Sequence, residues 1–553
     1  MSKVHILNLT SENALPSDFK SRKSFQKVTF PLKIRNNPSP KYQNIFHLII
    51  SLFILLLLPE KILLVDHYIE IKVKETGDNQ VLSDKYVGTL PSLKYVNNVL
   101  TDFVSLDSYK INVGSVNDVI KLRWNNYITD FSHMFDNLKN IVYIHMNHMF
   151  GPNSIMSYMF KDCINLEHFS YVIDYNESHV IKDLTGMFYN CQSLQSFSFK
   201  NLSLNYHSYI LAQGSCKRSL WGHCYEYNYY ISYYLYNNIN MSYMFYNCKK
   251  LNTIDMGPNG YIRKNISDMT AMFYNCISLK SINLTKFETG FNYSDLSYMF
   301  YNCKKLESIS FPSSFGIKDF KQIFYNCESL NSIDLSSFKI ETSTIIIDMS
   351  YLFYNCKSLT TVNANFDQFN ITDTTEMFYN CLSLNSLYFN PFNANSEINM
   401  TKMFYNCQNI QSIELTVSNS YYYPNDIFEM FYNCYNLVNL TFNKFKTDYV
   451  KYIAYLFYNC TKLENLKLQN SNFSNPLITD MRGIFKNCES LINLDLTKFY
   501  TPNVEIMWDM FKDCKSLQNL NISNFDTSKV TDMHSMFEGC SNLTSLNLNH
   551  FNT

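Results

Sequence analysis

Five residues, Met-Phe-Tyr-Asn-Cys, stand at 187–191 and return at 244–248, 272–276, 299–303, 377–381, 403–407 and 430–434. Close variants occupy 159–163, 323–327, 352–356, 456–460, 484–488, 510–514 and 536–540, so the pentapeptide occurs fourteen times in 553 residues. Successive cysteines lie 24–29 residues apart, except for 57 residues between Cys191 and Cys248. A period of that length means stacked units, each too small to bury its apolar face alone, sharing one elongated core with their neighbours.

Each cysteine is followed by a second pattern, as in LNSIDL (330–335), LINLDL (491–496), LQNLNI (517–522) and LTSLNL (543–548). This L-x-x-L-x-L turns alternate residues inward and reads as the strand of a leucine-rich repeat. A phenylalanine often follows three residues later, at 287, 338, 392, 445, 499, 525 and 551. Before the pentapeptide the spacing changes. Val530, Met533, Met536, Phe537 and Cys540 mark one face of a short helix, which Asp532 or Thr531 would cap, as Ser267 and Asp268 would before Met269. The fold expected is therefore an α/β solenoid, a leucine-rich-repeat array of about 14–15 short helix–turn–strand units with a small β-rich N-terminal cap. The fourth letter is Asn in eleven copies, Asp at 162 and 513 and Gly at 539. These residues best tolerate positive φ, so this position is expected to turn the chain.

Of 16 cysteines, fourteen end the pentapeptide: Cys163, Cys191, Cys248, Cys276, Cys303, Cys327, Cys356, Cys381, Cys407, Cys434, Cys460, Cys488, Cys514 and Cys540. Stacking places them in a column about 5 Å apart, where a small apolar side chain fits. They are expected to be free buried thiols with a structural role. Cys216 and Cys224 lie outside the repeat, in SCKRSLWGHC, and are the candidate disulfide if that face is extracellular. Sequons at Asn176, Asn240, Asn370 and Asn472 are candidate glycosylation sites.

The unit VTDMHSMFEGCSNLTSLNLNHFNT at 530–553 resembles the repeat of BspA-like leucine-rich-repeat surface proteins. The resemblance runs over about 130–553 and is tightest over 480–553, and KLRWNN at 121–126 is similar to the leader of eukaryotic members. It implies recognition or adhesion at a cell surface rather than catalysis. The outward strand positions fit that role with small, polar, nearly neutral groups: Lys280, Ser281, Asn283; Asn331, Ser332, Asp334; Gln411, Ser412, Glu414; Gln518, Asn519, Asn521; Thr544, Ser545, Asn547. The expected partner is a protein or glycan ligand. With 46 basic and 47 acidic residues the chain carries no electrostatic signature of a nucleic-acid partner. No CxxC, phosphate loop, GxSxG or HExxH occurs, so neither a catalytic residue nor a metal or other cofactor is expected.

The N-terminal part differs. Residues 1–44 form a basic, disordered tail with eight Lys or Arg against Glu12 and Asp18. IFHLIISLFILLLL at 45–58 opens a hydrophobic segment that extends to Val65. The basic flank keeps the N-terminus cytoplasmic, which makes 45–65 a signal anchor in a single-pass plasma-membrane protein, or a cleaved signal of a secreted one. The alternative is an intracellular or membrane-tethered interaction scaffold. Residues 66–130 read as the β-rich cap and 131–553 as the solenoid, interrupted by a tyrosine-rich insert at about 203–238. The chain stops at Thr553 straight after a repeat strand and leaves an uncapped edge: either the sequence is truncated there, or that end meets a partner, self-association through it being one route.

Overall fold

The computed structural model describes residues 67–553, apart from 105–108, 173–180, 199–215, 219–223, 228–238, 256–265, 286, 288–293, 341–345, 365–368, 390–396, 417–422, 446, 470, 472, 550 and 552–553. The hydrophobic segment 45–65 and the basic tail lie outside the described residues, as do Asn176 and Asn472. Among the described residues no helix is long and apolar enough to cross a membrane.

The chain coils as a leucine-rich-repeat β-solenoid. One face carries the strands that precede the pentapeptide, in parallel from Ile128–Asp130 through Ile181–Asp183 and Ile266–Asp268 to Phe315–Asp319, and again from Ile346–Asp348 to Tyr423–Asp426. The other carries the L-x-x-L-x-L strands, parallel and in register: Ser332 faces Thr361, which faces Ser386, and Ser412, Asn439 and Asn465 follow the same rule. At the N-terminal end the strand Ile141–Asn147 takes His168–Val172 on one side in parallel and His67–Val73 on the other antiparallel. Ile120–Trp124, Leu93–Val96 and Val99–Thr101 extend that sheet outward. Its alternating Ile69, Ile71 and Val73 are buried against the first turn, so the parallel ladder closes on an antiparallel one.

The expected short helices do not form; among the described residues there is no helix. Residues 296–303 show what replaces them. The N–H groups of Leu296, Tyr298, Phe300 and Asn302 donate to Asp319, Lys321, Ile323 and Tyr325 of the next turn, at 2.6–3.0 Å. Those of Met299, Tyr301 and Cys303 donate back three residues, to Leu296, Tyr298 and Phe300. Every other peptide thus closes a tight turn and the one between reaches the neighbour. An α-helix would spend all of these donors on its own i−4 carbonyls and leave the stack unbonded. Tyr298 and Asn302 both have φ +60°. Two left-handed residues within five stop a right-handed helix, and each sits third in its turn, as a type II turn requires. The inward spacing of Met, Phe and Cys survives because consecutive turns repeat every two to three residues, close to the helical period.

The fourth pentapeptide residue has φ between 57° and 63° in the Asn and Asp copies. Its side chain also joins a ladder: Asn275, Asn302 and Asn487 donate Nδ2 to Oδ1 of Asn247, Asn275 and Asn459. The second left-handed position, just before the pentapeptide's first residue, carries Tyr, Glu, Lys, Ala or Gln as readily as Gly.

Thirteen of the fourteen pentapeptide cysteines are fully buried, and Cys540 is half-buried; all are free thiols. Each Sγ donates to the carbonyl oxygen of the preceding turn's pentapeptide phenylalanine, or of Phe135 for Cys163, at 2.9–3.3 Å. That oxygen already accepts the N–H of its own turn's cysteine, as Phe273 does from Cys276, so the thiol satisfies a second lone pair that burial hides from water. Burial pushes these thiols well up from their ordinary range. Beside them the phenylalanines stack from Phe135 to Phe537 at 5.2–6.1 Å. The insert does not break the file: Phe188 stacks on Phe245 at 5.6 Å and Cys248 bonds to the Phe188 carbonyl.

Asp268 does cap the segment that follows, but it caps a turn. Its Oδ1 accepts the N–H of Thr270 at 2.8 Å, as Asp295, Asp348 and Asp373 accept from Ser297, Ser350 and Thr375. These residues stack in register, with Asp268 beside Asp295, Asp295 beside Asp319 and Asp348 beside Asp373. Burial raises the carboxyls of Asp319 and Asp373, and the neighbouring carboxylate adds to it, whereas Lys321 and other donors hold Asp348 low against its burial. A raised carboxyl binds more protons folded than unfolded, so its contribution to stability falls as pH rises from the ordinary carboxylate range through the folded value. Asp373→Asn keeps the Oδ1 acceptor and removes the charge; Asn240 and Asn399 already occupy this column. The variant is expected to be more stable than wild type at neutral pH by about 0.5 kcal/mol, the size of one opposed like-charge pair on a sheet. The gain disappears at pH values low enough to protonate the wild-type carboxyl, which urea titrations at several pH values will read.

Candidate functional site

The solenoid exposes a periodic surface wherever a strand position points away from the core. On the L-x-x-L-x-L face all fifteen outward positions named from the sequence are exposed, from Lys280 to Asn547. Their buried alternates, such as Ile282, Ile333 and Ile413, fix this orientation by packing inward. The parallel register then lines like positions up. Ser281 lies beside Ser308 and Asn283 beside Ser310; Asp334 lies beside Asn363; Asn493 and Asp495 lie beside Asn519 and Asn521.

Several of these amides bond along the column. Asn465 donates Nδ2 to Asn439 at 2.8 Å and Asn519 to Asn493 at 2.6 Å. A laddered amide still has one N–H and lone pairs facing solvent, held in a fixed orientation. Asn493, Asp495, Gln518, Asn519, Asn521 and Asn547 border an open recess of about 690 Å³. A second, of about 310 Å³, lies where strand and turn meet, bordered by Lys250, Lys280, Lys305, Asn252, Gln195 and Ser278. Fixed donors and acceptors at a spacing of about 4.8 Å suit an extended ligand that meets many weak, equivalent contacts. Burial would raise the Asp334 carboxyl, but bonds from Ser336 and Asn363 outweigh it and hold the group low and ionised.

A second periodic surface lies on the turns themselves, outside the expectations drawn from the strand pattern. The third pentapeptide residue is Tyr in ten consecutive copies, Tyr189, Tyr246, Tyr274, Tyr301, Tyr325, Tyr354, Tyr379, Tyr405, Tyr432 and Tyr458. Their half-buried rings stack in one file, with centroids 4.4–4.8 Å apart and planes within 1–11° of parallel. At the ends the same position is lysine, and Lys161 and Lys486 sit over the Tyr189 and Tyr458 rings at 5.8 and 5.7 Å. Burial raises the Tyr274 and Tyr405 phenols to about 12. The signal was the repetition of the third letter itself.

The sites expected from the insert are partly placed. Cys216–Arg218 and Cys224–Tyr227 form an antiparallel pair in which Cys216 faces Tyr227 and Cys224 faces Arg218. The rest of 203–238 lies outside the described residues. Asn240 and Asn370 lie half-buried in the strands Ile239–Asn240 and Asn370–Asp373, and the Asn240 Oδ1 accepts the N–H of Ser242. Among the described residues no group of three His, Cys, Asp or Glu side chains could hold a metal ion.

The repeat geometry matches known families. Residues 121–240 and 236–339 fit the model of the BspA type leucine rich repeat region. Over 121–339 the chain is similar to the BspA-type leucine-rich-repeat family. Residues 294–417 and 425–551 also fit the family described as Mycoplasma protein of unknown function, DUF285. Among solved structures the chain is similar to a leucine-rich repeat protein from Bacteroides ovatus, at 17% identity over 83% of this chain and 93% of that one, with a TM-score of 0.37. It is also similar to one from Eubacterium ventriosum, at 12% identity, 67% and 90% coverage and a TM-score of 0.29. Superpositions this loose add nothing to what the repeat itself establishes. No curated protein matches the chain.

Proposed function

We propose that this protein, with its BspA-like repeats, is a non-catalytic recognition or adhesion protein at a cell surface, binding a protein or glycan ligand through its L-x-x-L-x-L face. The observation that carries this reading is the in-register file of exposed polar side chains from Asn493 to Asn521, where Asn519 bonds to Asn493, beside an open recess. Repeats of this family suit interaction with other molecules, and an elongated face of fixed hydrogen-bonding groups adds many small contacts into useful affinity. We place residues 45–65 in the plasma membrane with 1–44 in the cytoplasm, on the strength of the apolar run and its basic flank. On the translocated side Cys216 and Cys224 would pair once their two strands shift from the register that sets Cys216 opposite Tyr227, and Asn176, Asn240, Asn370 and Asn472 would be open to glycosylation before folding.

Two experiments test this. Protease added to intact cells should cut the region 66–553; if it is cut only after the membrane is opened, the intracellular scaffold is the right reading instead. The full-length chain, screened against glycan and matrix-protein arrays, should bind a ligand. Asn519→Lys with Asn521→Lys should then lower affinity at least tenfold with an unchanged unfolding midpoint. Binding that ignores both substitutions, and likewise their counterparts at Ser332 and Asp334, would remove the strand face as the site.

A further inference from the structure

We propose that the tyrosine file is an oxidative cross-linking site, at which hydrogen peroxide with a haem peroxidase joins tyrosines of successive turns through ortho-carbon bonds. The file offers a ligand little else. Each inner ring has both faces covered by its neighbours, 4.5 Å away on either side of Tyr301, and the outer faces of Tyr189 and Tyr458 are covered by Lys161 and Lys486. No face is left for a sugar or a base to stack on. What half-burial leaves at the surface is the ring edge.

Two phenols each lose one hydrogen atom from oxygen, and the two hydrogens reduce one hydrogen peroxide to two waters. The two phenoxyl radicals then pair at their ortho carbons, forming one carbon–carbon bond. Each ortho hydrogen moves to its own oxygen and restores the ring, leaving a biphenol. Phenoxyl pairing is ordinarily limited by encounter, because both radicals are dilute. In the file every ring has a partner already held within 4.4–4.8 Å, so the pairing step is intramolecular and needs only that the two rings tilt out of the stack to bring their ortho carbons together. A ring oxidised anywhere along the file lies beside another that can be oxidised in turn. Each bond would tie one turn of the solenoid covalently to the next, at the level where the stack separates when it unfolds.

Accessibility alone predicts a different outcome. Tyr449, Tyr452 and Tyr500 are 45%, 58% and 49% exposed and stand outside the file, so a reaction governed by exposure would begin there. The test treats the full-length chain with horseradish peroxidase and hydrogen peroxide at low protein concentration and follows dityrosine fluorescence. Linked peptides are then mapped by mass spectrometry. The expected result is intramolecular links between successive pentapeptides, such as 274–301 and 301–325, and an upward shift in unfolding temperature. Tyr301→Phe keeps the ring and removes the phenol, so it should abolish those two links and leave 354–379 and 405–432 in place. Links confined to Tyr449, Tyr452 and Tyr500, links only between molecules, or tyrosine oxidation without any dityrosine would each overturn the proposal. A Tyr301→Phe chain that unfolds is checked against Tyr379→Phe, for which loss of 354–379 and 379–405 alone is the required outcome.

Discussion

Phe300→Ala is expected to destabilise the solenoid by about 3–5 kcal/mol, the usual cost of emptying a fully buried phenylalanine site. Phe300 has no exposed surface and stacks on Phe273 at 5.5 Å and Phe324 at 6.1 Å. The two neighbours are fixed in the same file by the bonds of their own turns, so they cannot close the gap. The position also matters. In a stack where each unit touches only its neighbours, stability is a sum of unit and interface terms. Removing the ring at the middle weakens two interfaces at once, which the backbone ladder, the thiol bonds and the tyrosine file still span. Urea unfolding followed by tyrosine fluorescence should therefore show a lower midpoint and a broader or split transition. Phe300→Leu, which keeps most of the volume, should cost under about 1.5 kcal/mol and stay cooperative. Equal losses for the two variants would mean that the file is not packed as described.

Asn302→Val carries the next largest effect, about 2–4 kcal/mol. Asn302 holds φ +60°, a conformation that costs a residue with a Cβ about 1–2 kcal/mol and a β-branched one more. Valine also deletes the Nδ2 bond to Asn275 and leaves that half-buried Oδ1 without its donor, worth about another 1–2 kcal/mol. Asn302→Gly separates the two causes. It relieves the backbone cost and loses only the bond, so it should fall near 1 kcal/mol. The sequence carries its own precedent at Gly539, which has φ +75°. If glycine and valine destabilise alike, the left-handed turn is not what selects asparagine here.

These residues also show what was legible beforehand. The stacking, the strand, the cysteine file and the turning asparagine all follow from the repeat, because each position needs the same residue type in every unit. The helix expected from the spacing does not form, for a physical reason. Val530, Met533, Met536, Phe537 and Cys540 have the inward spacing of a helical face, and tight turns that alternate with cross-stack bonds give the same spacing. The clue separating them is the second left-handed residue. It is Tyr298 in one unit, Glu376 and Lys402 in others, and shows itself only at Gly186 and Gly483. No composition rule marks it, because the bond it enables runs to a residue more than 20 positions away. Asp268 was rightly read as a cap, of a turn instead of a helix. On the strand face the exposed positions were legible from alternation. The tyrosine file was written ten times over, but its lysine ends emerge only when the turns are stacked.

The central claim is that one continuous core runs through every turn, with the thiols in single file inside it. Iodoacetamide labelling of the native full-length chain, mapped cysteine by cysteine by mass spectrometry, tests it most directly. Cys163 to Cys514 should stay unlabelled through the urea titration until the chain unfolds and then react together, with Cys540 ahead of them. Native labelling at a scattered subset, such as Cys303 and Cys407 but not Cys276 and Cys434, would contradict the account.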